Sequence, residues 1–138
     1  MIANRLKRVL PLIISKSQSA FQSDKAISDN ILVAFETLYH MKNQKKKGGG
    51  GFMALKLGMS KAFNRVEWSF LEATMMKVGF DARWVALVLS CTNSASYSIL
   101  VNGVPKGDIR PSRGIRQRDP LFPYLFLICL EALNCQLQ

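Results

Sequence analysis

The sequence predicts an α+β fold in which helices pack on a small, mostly antiparallel sheet. Three observations carry this. Apolar residues recur at helical spacing in several separate segments, a short apolar run (FMALKL, 52–57) has the length of a strand, and a period-two alternation, SYSILVNGVPKGDIRP, surrounds an Asn102-Gly103 dipeptide that fits a two-residue hairpin turn.

Each element has a local cause. Ile2, Leu6, Val9 and Leu10 fall on one helical face, which the pattern ends at Pro11. Ser28 can cap a second helix with Ile31, Phe35 and Leu38 on its face and Asp29 in the first turn, where the helix dipole favours negative charge. KNQKKKGGGG, 42–51, ends that helix and opens a flexible basic loop. After the strand at 52–57, a helix from about Glu67 to Val78 presents Phe70, Leu71, Met75 and Val78, with Gly79 as its stop. Asp81 caps the next helix, which buries Trp84, Val85 and Val88. Asp119-Pro120 then supplies an N-cap and first-turn signal for a long apolar helix reaching Leu133.

A chain of 138 residues can hold one domain with a real core but is short for a two-domain enzyme. Its 19 Lys and Arg against 9 Asp and Glu give a net charge of +10, which attracts polyanions, while 49% hydrophobic residues set it apart from a disordered chain. Cys91, Cys129 and Cys135 lack CxxC spacing and sit among apolar neighbours, so they read as core thiols of a reducing compartment. His40 has no second His or paired Cys beside it, which argues against zinc. The start is basic and free of acids until Asp24, as in a mitochondrial transit peptide, but Pro11 interrupts it. The apolar run 121–130 is broken by Pro123 and is far below the roughly 20 residues that span a bilayer. Ser19 and Ser28 have no His at useful spacing, and Asp24, Asp29, Asp81, Asp108 and Asp119 lie at caps or turns, so neither a hydrolase nor a carboxylate pair is indicated. The strand and turn at 52–64 sit where an α/β enzyme commonly places a carboxylate, yet they hold Gly58 and Asn64.

The phrases IANRLK, IIS..QSAF, SDNILVAFETLYHMK, GFMALKLGMSKAFNRVEWSF, SYSILVNG and RGIRQRDPLFPYLFLICLEAL resemble, in order and nearly without gaps, the reverse transcriptase of the non-LTR, LINE-type retrotransposons of plants. The resemblance covers essentially the whole chain. It implies a partial fingers segment at 1–51, the first part of a palm at 52–138, and descent from an RNA-directed DNA polymerase. In that family the first metal-binding Asp stands where this chain has Gly58, and a second acidic residue where it has Asn64. Phe63 matches the aromatic residue that crowds the sugar 2′-position of the incoming nucleotide. RGIRQRDPLFP resembles RGxRQGDPLSP: Gln117 is kept, Arg118 replaces a Gly that lets backbone approach nucleic acid, and Phe122 replaces a Ser. Lys25 stands where the family grips the triphosphate with Arg; it keeps the charge but loses the bidentate fork.

The family's paired Asp residues lie well beyond the helix 119–133, so the resemblance implies a C-terminally truncated, degenerate fragment with its sheet edge uncovered and a tendency to self-associate. The family uses Mg²⁺; here no metal site, no other cofactor and no polymerase activity are expected, and Phe63, Gln117 and Lys25 are the nucleotide-binding positions. The expected partners are RNA and DNA, bound without sequence preference by Lys45, Lys46, Lys47, Arg113, Arg116 and Arg118, with no membrane and no small-molecule substrate. The family acts in the nucleus, which implies an intracellular protein. Two alternatives stand beside this reading: a nucleic-acid-binding module without chemistry, and a polymerase part completed by another chain.

Overall fold

A computed structural model describes residues 2–20, 26–43, 52–116 and 118–137. Five helices and one hairpin occur among them: α1 (Ile2–Ile13), α2 (Ile27–Asn43), α3 (Trp68–Val78), α4 (Ala82–Asn93), β1 (Tyr97–Val101), β2 (Val104–Ile109) and α5 (Phe122–Leu137), an α+β architecture. The chain divides into two compact units, Met1–Ser15 with Lys61–Gln138, and Lys16–Ser60.

The first unit holds the core. α5 packs against both α1 and α3, and α3 against α4. Sitting between two neighbours, α5 must bury a wide arc rather than a stripe, which is why Leu125, Leu127, Ile128 and Cys129 are all buried. α1 meets it with Leu6, Leu10 and Ile14, spaced four residues apart. That spacing carries the helix past Pro11, which was expected to stop it; α1 runs to Ile13, and the Ile14 amide still bonds the Leu10 carbonyl at 2.9 Å. Proline forfeits one hydrogen bond near the helix end, where burial of Leu10 and Ile14 outweighs the loss. The Ser15 hydroxyl then donates to Glu131 at 3.1 Å and accepts from the Asn134 amide at 3.2 Å, tying the end of α1 to α5.

The capping signals at Gly79, Asp81 and Asp119 act as the sequence indicates. Gly79 adopts φ 101°, and its amide and that of Phe80 bond the Met76 and Met75 carbonyls, both at 3.1 Å, which closes α3 with a Schellman motif. The Asp81 carboxylate accepts the Arg83 amide at 2.9 Å and starts α4. The Asp119 carboxylate accepts the Leu121 amide at 2.8 Å, and α5 begins one residue later, at Phe122. Asn102 and Gly103 have φ 50° and 80°, both positive as a type I′ turn requires. β1 and β2 pair antiparallel with Val101 opposite Val104 and Ile99 opposite Lys106; an extra residue on β2 forms a bulge at Gly107, φ 77°. Both strands are exposed along their length, so the helices supply the core.

In the second unit, α2 forms but does not bury the face expected of Ile31, Phe35 and Leu38; these are 64%, 70% and 54% exposed. Its apolar residues also include Leu32, Val33 and Tyr39, which wrap around the helix instead of forming one stripe. Its first turn is closed by Asp29, which accepts the Ala26 amide at 3.2 Å, and not by Ser28. The expected strand at 52–57 does not form among the described residues, because a strand exists only through a partner and no described segment pairs with it.

The expectation of three core cysteines holds for Cys129 alone; Cys91 and Cys135 are exposed. Burial pushes the Cys129 thiol from 9.0 up to about 12. Folded Cys129 therefore keeps its proton where an unfolded thiol has lost it, so stability is unaffected below pH 9 and falls by about 1.4 kcal/mol per pH unit as pH rises from there towards 12. At neutral pH an aromatic disulfide reagent is expected to label Cys91 and Cys135 at once and Cys129 only on unfolding; prompt labelling of all three would show the α5 packing to be wrong.

Candidate nucleotide site

Two short segments, 62–68 and 113–116, meet through the backbone. The first is a single 3₁₀ turn, Ala62–Arg65, that leads into α3. The Gly114 amide donates to the Val66 carbonyl at 2.7 Å and the Ile115 amide to the Phe63 carbonyl at 3.0 Å. The Trp68 indole N–H closes the clamp by donating to the Gly114 carbonyl at 2.8 Å. Gly114 is forced here twice over: its φ is 91°, and a Cβ would lie 3.1 Å from the Asn64 carbonyl oxygen and 3.2 Å from the Asn64 Cα.

The clamp shapes a cavity of about 470 Å³ lined by Asn64, Tyr97, Arg113 and Arg116, together with Gly114 and Ile115. Among the described residues no carboxylate lines it, although Asp119 shares the adjoining smaller cavity with Arg116, so the two guanidiniums are the charged groups of the described lining. Asn64 and both arginines are exposed. Beneath the turn, the half-buried Phe63 ring lies 4.5 Å from Phe122 and 4.3 Å from Phe126, tilted by 56° and 57°. Phe122, which the resemblance sets in place of a Ser, is thus part of the support for Phe63.

The structure therefore brings Phe63, Asn64, Arg113 and Arg116 to one turn. Gly58 lies in the other unit; it is exposed, and a Cβ added there meets no atom within 4 Å. Lys25, Lys45, Lys46, Lys47 and Gln117 lie outside the described residues. Arg118 is exposed with φ 69°, a left-handed conformation. Glycine suits that position for its dihedral, a reason additional to close approach of a ligand. The left-handed penalty of about 1–2 kcal/mol for a side chain exceeds the extra freedom of unfolded glycine, roughly 0.5–1 kcal/mol. Arg118→Gly is therefore expected to stabilise the protein by about 0.5–1 kcal/mol in urea unfolding. A loss of stability would mean that the Arg118 side chain makes a contact outweighing the strain.

Residues 1–138 match the family described as reverse transcriptase (RNA-dependent DNA polymerase). The chain belongs to this family. It is 28% identical over 137 residues to the transposon TX1 uncharacterized 149 kDa protein of Xenopus laevis, covering 99% of this chain and 10% of that protein. It is also 28% identical over 144 residues to the retrovirus-related Pol polyprotein from type-1 retrotransposable element R2 of Popillia japonica, covering 99% of this chain and 20% of the relative. Over 35 residues, 25% of the chain, it is 57% identical to the uncharacterized mitochondrial protein AtMg01250 of Arabidopsis thaliana, of which this is 29%. The chain thus spans about a tenth and a fifth of the length of the two relatives it matches throughout.

The turn carrying Asn64 and the clamped segment 113–116 lie within the stretch that matches this family. A polymerase of this kind draws on Mg²⁺ held by carboxylates to stabilise the attacking and leaving oxygens. Gly58 has no side chain and the exposed Asn64 offers only a neutral amide. Among the described residues no three of His, Cys, Asp and Glu converge. Neither Gly58 nor Asn64 supplies the carboxylate that such an ion needs. Sequence reasoning missed the roles of Gly114 and Trp68, which are ordinary residues until the segments 46 positions apart are joined.

Proposed function

We propose that the chain is a segment of a non-LTR retrotransposon reverse transcriptase of plant type that retains a nucleic-acid-binding face but does not polymerise. The short, closely similar stretch shared with the Arabidopsis thaliana protein supports the plant assignment. The observation that carries the functional reading is the cationic cavity at the Asn64 turn, where Arg113 and Arg116 are the charged groups of the described lining. Two guanidiniums beside a turn suit phosphate, by bidentate donation and by charge, and contain nothing that reads a base. Phe63, propped by Phe122 and Phe126, is the ring that would meet a sugar. Asn64 supplies neither the charge nor the base that phosphoryl transfer would require of this turn, and Gly58, in the other unit, has no side chain to supply either.

Fluorescence anisotropy with labelled single-stranded RNA and DNA of mixed sequence tests the binding half. Affinity should fall with salt at a slope near 0.7 per phosphate neutralised, and Arg113→Ala with Arg116→Ala should lower the slope by roughly one to two such steps. Salt-independent binding would overturn it. Primer extension on an RNA template tests the other half. Neither the native chain nor Gly58→Asp is expected to give product with Mg²⁺, because one carboxylate cannot hold two ions; templated product above a no-enzyme blank would refute the reading.

A further inference from the structure

We propose that the groove between α1 and the start of α4 is a docking site for an acidic amphipathic segment of another polypeptide, remote in chemistry from the nucleotide turn. The groove encloses about 700 Å³ and is lined by Arg5, Arg8 and Arg83 around an apolar floor that includes Val9, Phe80 and Leu87. All three arginines are exposed. The acidic member, Asp81, already accepts the Arg83 amide and lies 3.7 Å from its guanidinium, with the two side chains 65% and 96% exposed. An ion pair so open to water is worth little and leaves Arg83 available to a better partner. The groove therefore presents an excess of two positive charges: three guanidiniums against one carboxylate.

The occupant follows from the arrangement of charge and apolar surface. A single strand of nucleic acid could meet the guanidiniums through its phosphates, but covering the apolar floor as well would need open aromatic faces for its bases. The Trp84 ring is instead covered by the Arg5 guanidinium, whose central carbon lies 4.9 Å from the ring centre. Stacking also holds Arg5 in place, so less freedom is lost when it engages a carboxylate. Apolar floor with a guanidinium rim is the complement of a helix or extended segment that lays a large apolar side chain inward and carboxylates outward. A second copy is a poor occupant, because the chain carries +10 overall and its 9 acids are scattered.

The test uses the whole 138-residue chain and a dye-labelled peptide of Glu and Asp with one central Phe. Saturable binding is expected, weakened about tenfold or more by Arg5→Glu with Arg83→Glu and unaffected by Arg113→Glu. Replacing the central Phe by Gly should weaken binding by at least several-fold. The two groove arginines are exposed, so loss of binding by misfolding is checked by an unchanged urea midpoint. Absence of binding, indifference to the Phe, or equal loss with Arg113→Glu would each overturn the proposal. So would a single-stranded DNA oligonucleotide that displaces the peptide and is itself lost with the groove variants; the outcome at Arg113 keeps this separate from the nucleotide turn.

Discussion

Gly114→Ala is expected to destabilise the protein by about 2–4 kcal/mol, the sum of a strained left-handed backbone and an overpacked contact. The backbone part follows from φ 91°, and the contact part from a methyl group 3.1 Å from the Asn64 carbonyl oxygen, itself main chain and unable to turn aside. To relieve the clash, segment 113–116 would have to back away, which stretches the 2.7 Å bond to Val66, the 3.0 Å bond to Phe63 and the Trp68 bond together. Gly107→Ala is the matched control: its φ of 77° imposes similar strain, but its Cβ would meet no atom within 4 Å. Urea unfolding of both variants isolates the contact term as their difference. If Gly114→Ala lost no more than Gly107→Ala, the close approach of the two segments would be disproved. Arg113 and Arg116 ride on the clamped segment, so salt-dependent nucleic-acid binding should weaken in Gly114→Ala and persist in Gly107→Ala.

What the sequence made legible is what local forces decide. Gly79 and Asp81 act within one helical turn, and Asn102-Gly103 closes a hairpin between neighbouring residues, so α3, α4 and the hairpin could be placed without knowing their surroundings. Burial is a tertiary quantity, and there the pattern misleads. Ile31, Phe35 and Leu38 have helical spacing yet remain exposed, the run at 52–57 has strand composition yet no described partner, and Cys91 and Cys135 have apolar sequence neighbours yet face water. Pro11 fails in the opposite sense: its local effect is outweighed by the burial of Leu10 and Ile14 on either side.

The candidate site divides along the same line. Phe63, Asn64, Arg113 and Arg116 could be named from the resemblance because each lies inside a recognisable phrase, and the structure unites them at one turn. Why the phrases belong together was not legible, since that rests on Gly114 and Trp68 bridging separate segments. The Phe122 and Arg118 departures also differ in kind once the structure is known. Phe122 is taken up into an aromatic cluster, whereas Arg118 sits in a conformation that its side chain disfavours.

Leu125→Ala is expected to cost about 3–5 kcal/mol, toward the upper part of the range for buried leucines. Leu125 is 0% exposed and belongs to the helix on which both α1 and α3 pack. It also borders a cavity of about 90 Å³ beneath the loop that holds Ile115 and Asp119. Truncation therefore enlarges a void that already exists, and the cost grows with residual cavity volume when the walls cannot close in. Two of those walls are fixed: Leu121 by the Asp119 cap at 2.8 Å, and Ile115 by its bond to Phe63 at 3.0 Å. Leu137→Ala removes the same atoms from the same helix, but Leu137 is 65% exposed and alanine is the better helix former, so its effect should stay within about 0.5 kcal/mol. The contrast is read from urea midpoints at constant slope, with the slope showing whether the transition remains two-state. Similar losses at the two positions would mean that α5 is not the central helix of its unit; a large loss at Leu125 alone ties the stability of the Asn64 turn to the packing beneath it.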